Sequence, residues 1–563
     1  MCGIHVAVSA TAPEVPPELH CRLCNRGPDY LGLAERHVRG GSLSLHFTTT
    51  VLALRGDHVA QQPLVDPRTG SVLCWNGEAW RIDGLGVDGN DGEAILARLM
   101  KASASPPAVA AAPGSEREAA ILDVFRAVEG PFSFVYFDAP TETLFFGRDR
   151  LGRRSLMIDS NDASGELTLS SIAEACDPSW KEVEADGIYV LRYPSSPATT
   201  LPARHQWIAG DEHADFVSSI GRFNKSLPST AFVLTTSSPS VAMLKHQLLD
   251  SLRPRVLEIP QPPASDVTPS KARIAVLFSG GLDCAVLARL THDLLEQDQE
   301  IDLVNVAFEN PRVVAQLRKD SKGGELLTDF FEICPDRITG RKSFAELQAV
   351  CPGRVFRFVA VNVPYSETLA HRSQVVSLMY PHNTEMDLSI AFALYFAARG
   401  RGLCYESSSS VSQPAPYTCS ARVLLSGLGA DELFGGYGRH MVAFSKQGYA
   451  GLADELLLDV SRLGKRNLGR DDRVMTHWSK EVRFPFLDER LVKWAIETPS
   501  WEKCDFENGE GFTGVEAGKR VLRLLALALG MENVAKEKKR AIQFGSRTAK
   551  MENGRVKGTT TIV

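Results

Sequence analysis

The sequence predicts an α/β protein of two domains: a β-rich layered half, then a half built on a parallel sheet. Three observations lead there. At 563 residues the chain exceeds what one hydrophobic core serves. Residues 1–200 carry short apolar runs that alternate and break at turns, as half-buried strands do. Beyond residue 271 the runs become continuous and alternate with helical stretches, which is the pattern of a covered parallel sheet.

In order, the first half reads as strands at MCGIHVAVSA, SLSLHFTTTVLAL, SVLCWNGEAW, PFSFVYFDAP and TLFFGRD, with helices near 92–101 and 116–128. KASASPPAVAAAPGS (101–115), biased toward Ala, Ser and Pro, reads as a flexible insertion. Proline-rich connectors follow at 193–204 and 260–270. Between them, apolar residues at 241, 244, 248, 252 and 256 fall at helical spacing. RIAVLF, SGGLD, CAVLARLTHDLL and IDLVNVAF then make a strand-loop-helix-strand unit. Beyond about 430 the chain reads as mostly helical. Domains are expected at 2–205 and 271–555, with 206–270 as linker and connecting helix.

Composition narrows the function classes. Apolar residues make up 44% and charged residues 23%, ordinary for a globular chain. A net charge of −6 offers no electrostatic reason to expect nucleic acid or an anionic membrane as partner. No apolar run reaches the roughly eighteen residues of a spanning helix. The first residues also lack the basic-then-apolar pattern of a secretory signal. Eleven scattered cysteines suit the reduced thiols of a cytoplasmic protein. Cys21 and Cys24 form a lone CxxC with no second pair at a zinc-site spacing.

LFSGGLDC (277–284) joins a buried strand to a helix through two glycines. Such a loop lets main-chain N–H groups approach a phosphate at a helix start. Ser279 offers a further donor, and Asp283 a ligand for magnesium beside phosphate oxygens. No G-x-x-x-x-G-K-[ST] is present, so this is not a Walker A loop. On spacing alone, a tight structural turn explains the glycines as well as a phosphate site does. VLLSGLGADELFGGY (423–437) repeats the arrangement, and Asp431 and Glu432 open its helix. Two such loops at the carboxyl ends of parallel strands would meet in one crevice.

SGGLD-C resembles the pyrophosphate loop of the ATP-pyrophosphatase group. With SGLGADELFGGY and VRFPFLDERLVKWA (482–495), it is similar to the synthetase domain of glutamine-dependent asparagine synthetases. The resemblance implies that Leu277, Ser279, Gly280, Gly281, Asp283, Cys284, Ser426, Gly427 and Asp431 bind ATP and pyrophosphate, with Mg2+ on Asp283 and Asp431.

The first half agrees. MCGI, NRGPDYLG, LCWNGE, GNDGEAIL and FGRDRLGRRSL resemble the glutaminase domain of the same family, a class II amidotransferase. The fold implied is an N-terminal-nucleophile hydrolase-type αββα domain, followed by the parallel-sheet ATP-pyrophosphatase domain. Removal of Met1 would expose Cys2 with a free amine, whose pKa near ~8 suits it to act as base for its own thiol. By the same resemblance, Asn76 and Gly77 stabilise the oxyanion, and Arg55, Glu78 and Asp91 bind glutamine. The reaction implied transfers glutamine-derived ammonia to an adenylated carboxylate, aspartate in the family, releasing AMP and pyrophosphate. Its partners are thus small molecules, with a homodimer left open.

Three departures stand out. The family's glutamate between the glycines of S-G-x-G, which takes a proton from attacking ammonia, is Leu428 here. The family lysine before Q-F falls on Ala541, with Lys538, Lys539 and Arg540 just ahead; Lys539 is the expected substitute, and a solvated basic run the plain alternative. Cys284 replaces a serine, and a thiol donates more weakly. A half-active relative, a sensor or scaffold, is the alternative these raise. Segments 336–350, 466–474 and 539–552 look like signatures of one branch of the family and carry no motif chemistry. Arg470, Asp471, Asp472 and Arg473 form a mixed-charge cluster that reads as a buried ion network, favoured because RFPFLD lies close in sequence, or as a solvated surface.

Overall fold

The computed structural model describes residues 2–11, 14–104, 115–161, 166–193, 201–208, 216–261, 272–320, 329–406, 414–509, 514–551 and 557–562. The centre of the expected insertion and most of both proline-rich connectors lie outside these. The chain divides into two compact units, Met1–Ser219 with Leu463–Ser479, and Ile220–Arg462 with Lys480–Val563.

In the first unit, alternation sorts side chains between two cores. One six-stranded antiparallel sheet runs in the order Lys181–Glu182, Met157–Asn161, Glu166–Ser170, Gly3–Ser9, Leu43–Val51, Tyr30–Val38. The other runs Ala203–His205, Ile188–Arg192, Thr143–Arg148, Phe132–Asp138, Val72–Gly77, Leu64–Val65. From Phe132–Asp138, Val135 and Phe137 pack with Ile4, Val6 and Phe47 of the first sheet. Phe132, Phe134 and Tyr136 instead face Ile95, Leu99, Ile121 and Phe125, on the helices Asp91–Ala104 and Ser115–Arg126. Helix Pro17–Arg26 covers the outer face of the first sheet, with Leu23 against Gly3. The layers are therefore helix, sheet, sheet, helix. Phe132–Asp138 is buried throughout because both its faces are covered.

The second unit holds a seven-stranded sheet ordered Ala415–Thr418, Arg401–Glu406, Phe356–Val363, Ile301–Phe308, Ile274–Leu277, Val423–Leu425, Glu481–Arg483. The five strands from Phe356–Val363 to Glu481–Arg483 are parallel, whereas the two at the other edge pair antiparallel. The expectation of a parallel sheet thus holds for five strands, out to one edge. Gly400, at φ 65°, ends helix Glu385–Arg399 and leads directly into Arg401–Glu406. From the central strand Ile274–Leu277 the chain builds first to one side and later to the other. The loops after Ile274–Leu277 and Val423–Leu425 are neighbours at that reversal, where open sheets bind ligands.

Leu463–Ser479, expected within the second domain, packs in the first unit. Its helix Leu468–Thr476 is buried throughout, including Arg470, Asp471, Asp472 and Arg473. A mixed-charge helix is buried only where countercharges wait, and the first unit supplies Arg26, Arg154 and Glu182. The cluster is thus a buried ion network rather than a solvated surface. Arg483 and Asp488 of RFPFLD pair separately, with Glu481 and Arg255.

Helix Pro335–Val350, a stretch without motif chemistry, backs the first glycine loop. Gly340 lies so close that a Cβ on Gly280 would meet its main chain at 2.5 Å, and Ser343 Oγ donates to Gly280 O at 2.6 Å. Asn305 Nδ2 bridges Phe278 O and Asp336 O at 2.8 and 2.9 Å, and Arg337 Nε donates to Asn305 Oδ1 at 2.7 Å. Burial pushes the Asp336 carboxyl up to about 7, against the opposing pull of Arg540 and Lys539. Between its unfolded value of 3.8 and about 7, the folded state holds the extra proton, so stability falls as pH rises through that window. Asp336→Asn is expected to remove this loss, gaining on the order of 1–3 kcal/mol over wild type at pH 8 and little at pH 4. Thermal unfolding at the two pH values checks it; equal offsets at both would contradict it.

Candidate functional site

Each unit gathers one cluster of the expected residues. Cys2 precedes strand Gly3–Ser9 and is nearly buried. Its main-chain nitrogen donates to Asn76 Oδ1 at 3.0 Å, and Gln62 Nε2 donates to its Sγ at 3.5 Å. Asn76 is turned by a second bond, from Nδ2 to Ser133 Oγ at 3.3 Å. Gly77 has to be glycine, because a Cβ there would stand 2.3 Å from Pro131 O. Gln62 was not legible from sequence, since it lies in no motif. Its Oε1 accepts from Trp75 N at 2.7 Å, tying the thiol to the strand that carries Asn76.

Arg55, Glu78 and Asp91 form one group beside that strand. Arg55 Nη1 donates to Ala79 O at 2.9 Å and to Glu78 Oε2 at 3.4 Å, and Nη2 donates to Val87 O. Asp91 Oδ2 accepts from Trp75 Nε1 at 2.9 Å and Ala79 N at 2.7 Å. Burial raises the Asp91 carboxyl, while the Arg55 charge and these bonds pull it down. The guanidinium is thus held by main-chain carbonyls as much as by carboxylates, so it brings fixed positive charge to the group.

The second cluster forms at the reversal in the seven-stranded sheet. Leu277 ends its strand, and Gly281 N donates to Ser279 Oγ at 3.3 Å. Cys284 Sγ donates to Gly281 O at 3.2 Å, and burial pushes this thiol up to about 11, so it staples the loop as a neutral group. Gly427 brings the second loop against the first; a Cβ there would stand 2.8 Å from Asp283 Cβ. Ser426 Oγ accepts from Leu428 N at 3.3 Å within that loop.

Asp283 and Asp431 meet at one cation. Lys519 Nζ lies 2.7 and 2.8 Å from the Asp283 oxygens and 2.9 Å from Asp431 Oδ1. Lys539 Nζ pairs with the other Asp431 oxygen and lies over the Tyr437 ring. Although burial alone would raise it, the two ammonium groups hold the Asp431 carboxyl well below the usual carboxylate range. Both carboxylates converge on the Lys519 ammonium, and among the described residues no group of three or more His, Cys, Asp or Glu side chains is placed to hold a metal ion. Lys519 escaped the sequence reading because it sits in no motif and meets Asp283 only through folding. Its backbone is left-handed, at φ 55°, which is uncommon outside glycine. A cavity of about 170 Å³ elsewhere in this unit, lined by Tyr365, Phe392 and Phe544, is bordered by none of these residues.

The asparagine synthase family profile matches residues 445–560. Proteins named asparagine synthetase domain-containing protein 1 from Gallus gallus and Bos taurus are 33% and 32% identical over 99% of this chain, covering 98% and 97% of their own lengths. Glutamine-hydrolysing asparagine synthetase 1 of Saccharomyces cerevisiae is 22% identical over 89% of this chain and 77% of its own. The chain belongs to the asparagine synthase family, alongside the asparagine synthetase domain-containing proteins.

Proposed function

We propose that the chain hydrolyses glutamine at Cys2 and uses the ammonia to amidate an adenylated carboxylate, aspartate by family precedent. The observation that carries this reading is the Cys2 nitrogen on Asn76 Oδ1, beside a thiol that Gln62 contacts. Once Met1 is removed, that nitrogen is an amine with its pKa near ~8, able to take the thiol proton. The thiolate attacks the carboxamide carbon. Negative charge develops on the carboxamide oxygen, where an Asn76 amide N–H and the Gly77 main-chain N–H stabilise it. Collapse of the adduct expels ammonia and leaves a thioester, which water cleaves to glutamate. Arg55, Glu78 and Asp91 bind the amino-acid end of glutamine.

In the second unit, the Ser279–Gly281 loop cradles the phosphates of ATP through main-chain N–H groups. Lys519 and Lys539 offset negative charge as the acceptor carboxylate displaces pyrophosphate and forms an acyl-adenylate. Asp283 and Asp431 would hold magnesium, which supplies further neutralisation of phosphate charge. Ammonia then attacks the acyl carbon and AMP leaves.

One observation favours a second reading, a chain that hydrolyses glutamine and binds nucleotide as a sensor or scaffold. Leu428, half-buried between two glycines, accepts no proton from ammonia. A lost general base typically costs 10²–10⁴-fold, and the step affected is amide formation.

Cys2→Ala is expected to abolish glutamate release from glutamine while nucleotide affinity stays at the wild-type value. Glutamate assay with calorimetric titration of magnesium-ATP checks both. Undiminished glutamate release, or Met1 retained on the purified chain by intact mass, would overturn the nucleophile assignment.

A further inference from the structure

Cys2 is gripped at both ends of its main chain, and the two grips close on one another through a residue from far along the sequence. On the nitrogen side, Cys2 N donates to Asn76 Oδ1 at 3.0 Å, and Asn76 Nδ2 donates to Ser133 Oγ at 3.3 Å. Ser133 Oγ donates to Ser155 O at 3.2 Å, and Ser155 N donates to Asp472 Oδ2 at 3.2 Å. On the carbonyl side, Arg26 Nε donates to Cys2 O at 3.4 Å and its Nη2 to the same Asp472 Oδ2 at 3.0 Å. The result is a closed ring of six residues, all buried, in which Asp472 is where the two arms meet.

We infer that Asp472 is a positioning residue for the Cys2 nucleophile, an inference that rests on the glutamine-hydrolysing reading above. Its carboxylate is the only anion in the ring. It accepts the Arg26 guanidinium, which fixes the peptide plane after Cys2, and the Ser155 amide, which anchors the arm that orients Asn76. The direction of the Cys2 Cα–Cβ bond relative to Asn76 and Gly77, and so the aim of the thiol toward the oxyanion donors, follows from both grips. Arg154 Nη1, 3.7 Å from Asp472 Oδ1, adds a second countercharge. Arg26 Nη1 also donates to Thr476 Oγ1 at 2.5 Å, one helical turn on, which fixes the register of helix Leu468–Thr476 against Arg26.

In the isosteric amide one oxygen still faces both donors, but the charge that holds the Arg26 guanidinium is gone and an NH2 group faces Arg154, so the grip on Cys2 O relaxes. A displacement near 1 Å at a reacting group costs on the order of 100-fold. In the full-length chain, Asp472→Asn is therefore expected to lower kcat for glutamate release by about 10–100-fold, with KM within about twofold of wild type. The pH midpoint of Cys2 alkylation by iodoacetamide should also rise, because the Cys2 ammonium that stabilises the thiolate loses its fixed acceptor on Asn76.

Asp138→Asn is the control. Asp138 is fully buried in the same unit and pairs with Arg117 through both oxygens, at 2.6 and 2.8 Å, outside the ring. It should lose comparable thermal stability while keeping kcat and the alkylation midpoint. Wild-type kcat and midpoint in Asp472→Asn, or equal shifts in Asp138→Asn, would overturn the inference. If Asp472→Asn does not fold, Arg26→Lys is read in the same way, since it keeps the charge and loses the bond to Cys2 O. A wild-type chain that releases no glutamate would sink the glutaminase reading, and the alkylation midpoints would still decide the role of Asp472.

Discussion

A guanidinium and a carboxylate sealed from water, Arg26 and Asp472, tie residues more than four hundred positions apart into one unit. Breaking such a pair on one side costs about 3–5 kcal/mol, whereas replacing both partners with well-packed apolar groups is often neutral. The pair therefore specifies an arrangement more than it stabilises one. Leu463–Ser479 belongs with the first unit because the charges it buries find partners there. The same pair holds the main chain at Cys2, so the insertion and the nucleophile share one constraint.

The second unit follows the same logic with opposite chemistry. Asp283 and Asp431, on neighbouring loops, would repel each other in a buried crevice without Lys519 between them. That ammonium holds the loops together while leaving two carboxylates aimed at one point. Helix Pro335–Val350 contributes closeness rather than charge: Gly340 lets the Gly280 turn settle against it, and Asn305 joins the two from below.

Local chemistry was legible in the sequence. The strand at IDLVNVAF runs over Ile301–Phe308 as its apolar run suggests, and the helices expected near 92–101 and 116–128 are present at Asp91–Ala104 and Ser115–Arg126. Cys2 N lies on Asn76 Oδ1, and Asp283 and Asp431 both reach Lys519. What escaped was set by long-range pairing. Gln62 and Lys519 carry no motif, and only the fold shows which thiol or carboxylate they reach. The antiparallel edge escaped because periodicity does not register strand direction. RDDR favoured buried charges over a solvated surface but did not show which partners they would meet.

The pairing of glutamine hydrolysis with amide synthesis is tested most directly by incubating the purified chain with magnesium-ATP, glutamine and a panel of carboxylates that includes aspartate. Pyrophosphate release with aspartate, with asparagine among the products, is the expected result, and it would show that another group serves in place of a base at 428. Glutamate formation with no pyrophosphate from any acid would contradict the coupled reaction and leave a glutaminase joined to a nucleotide-binding unit.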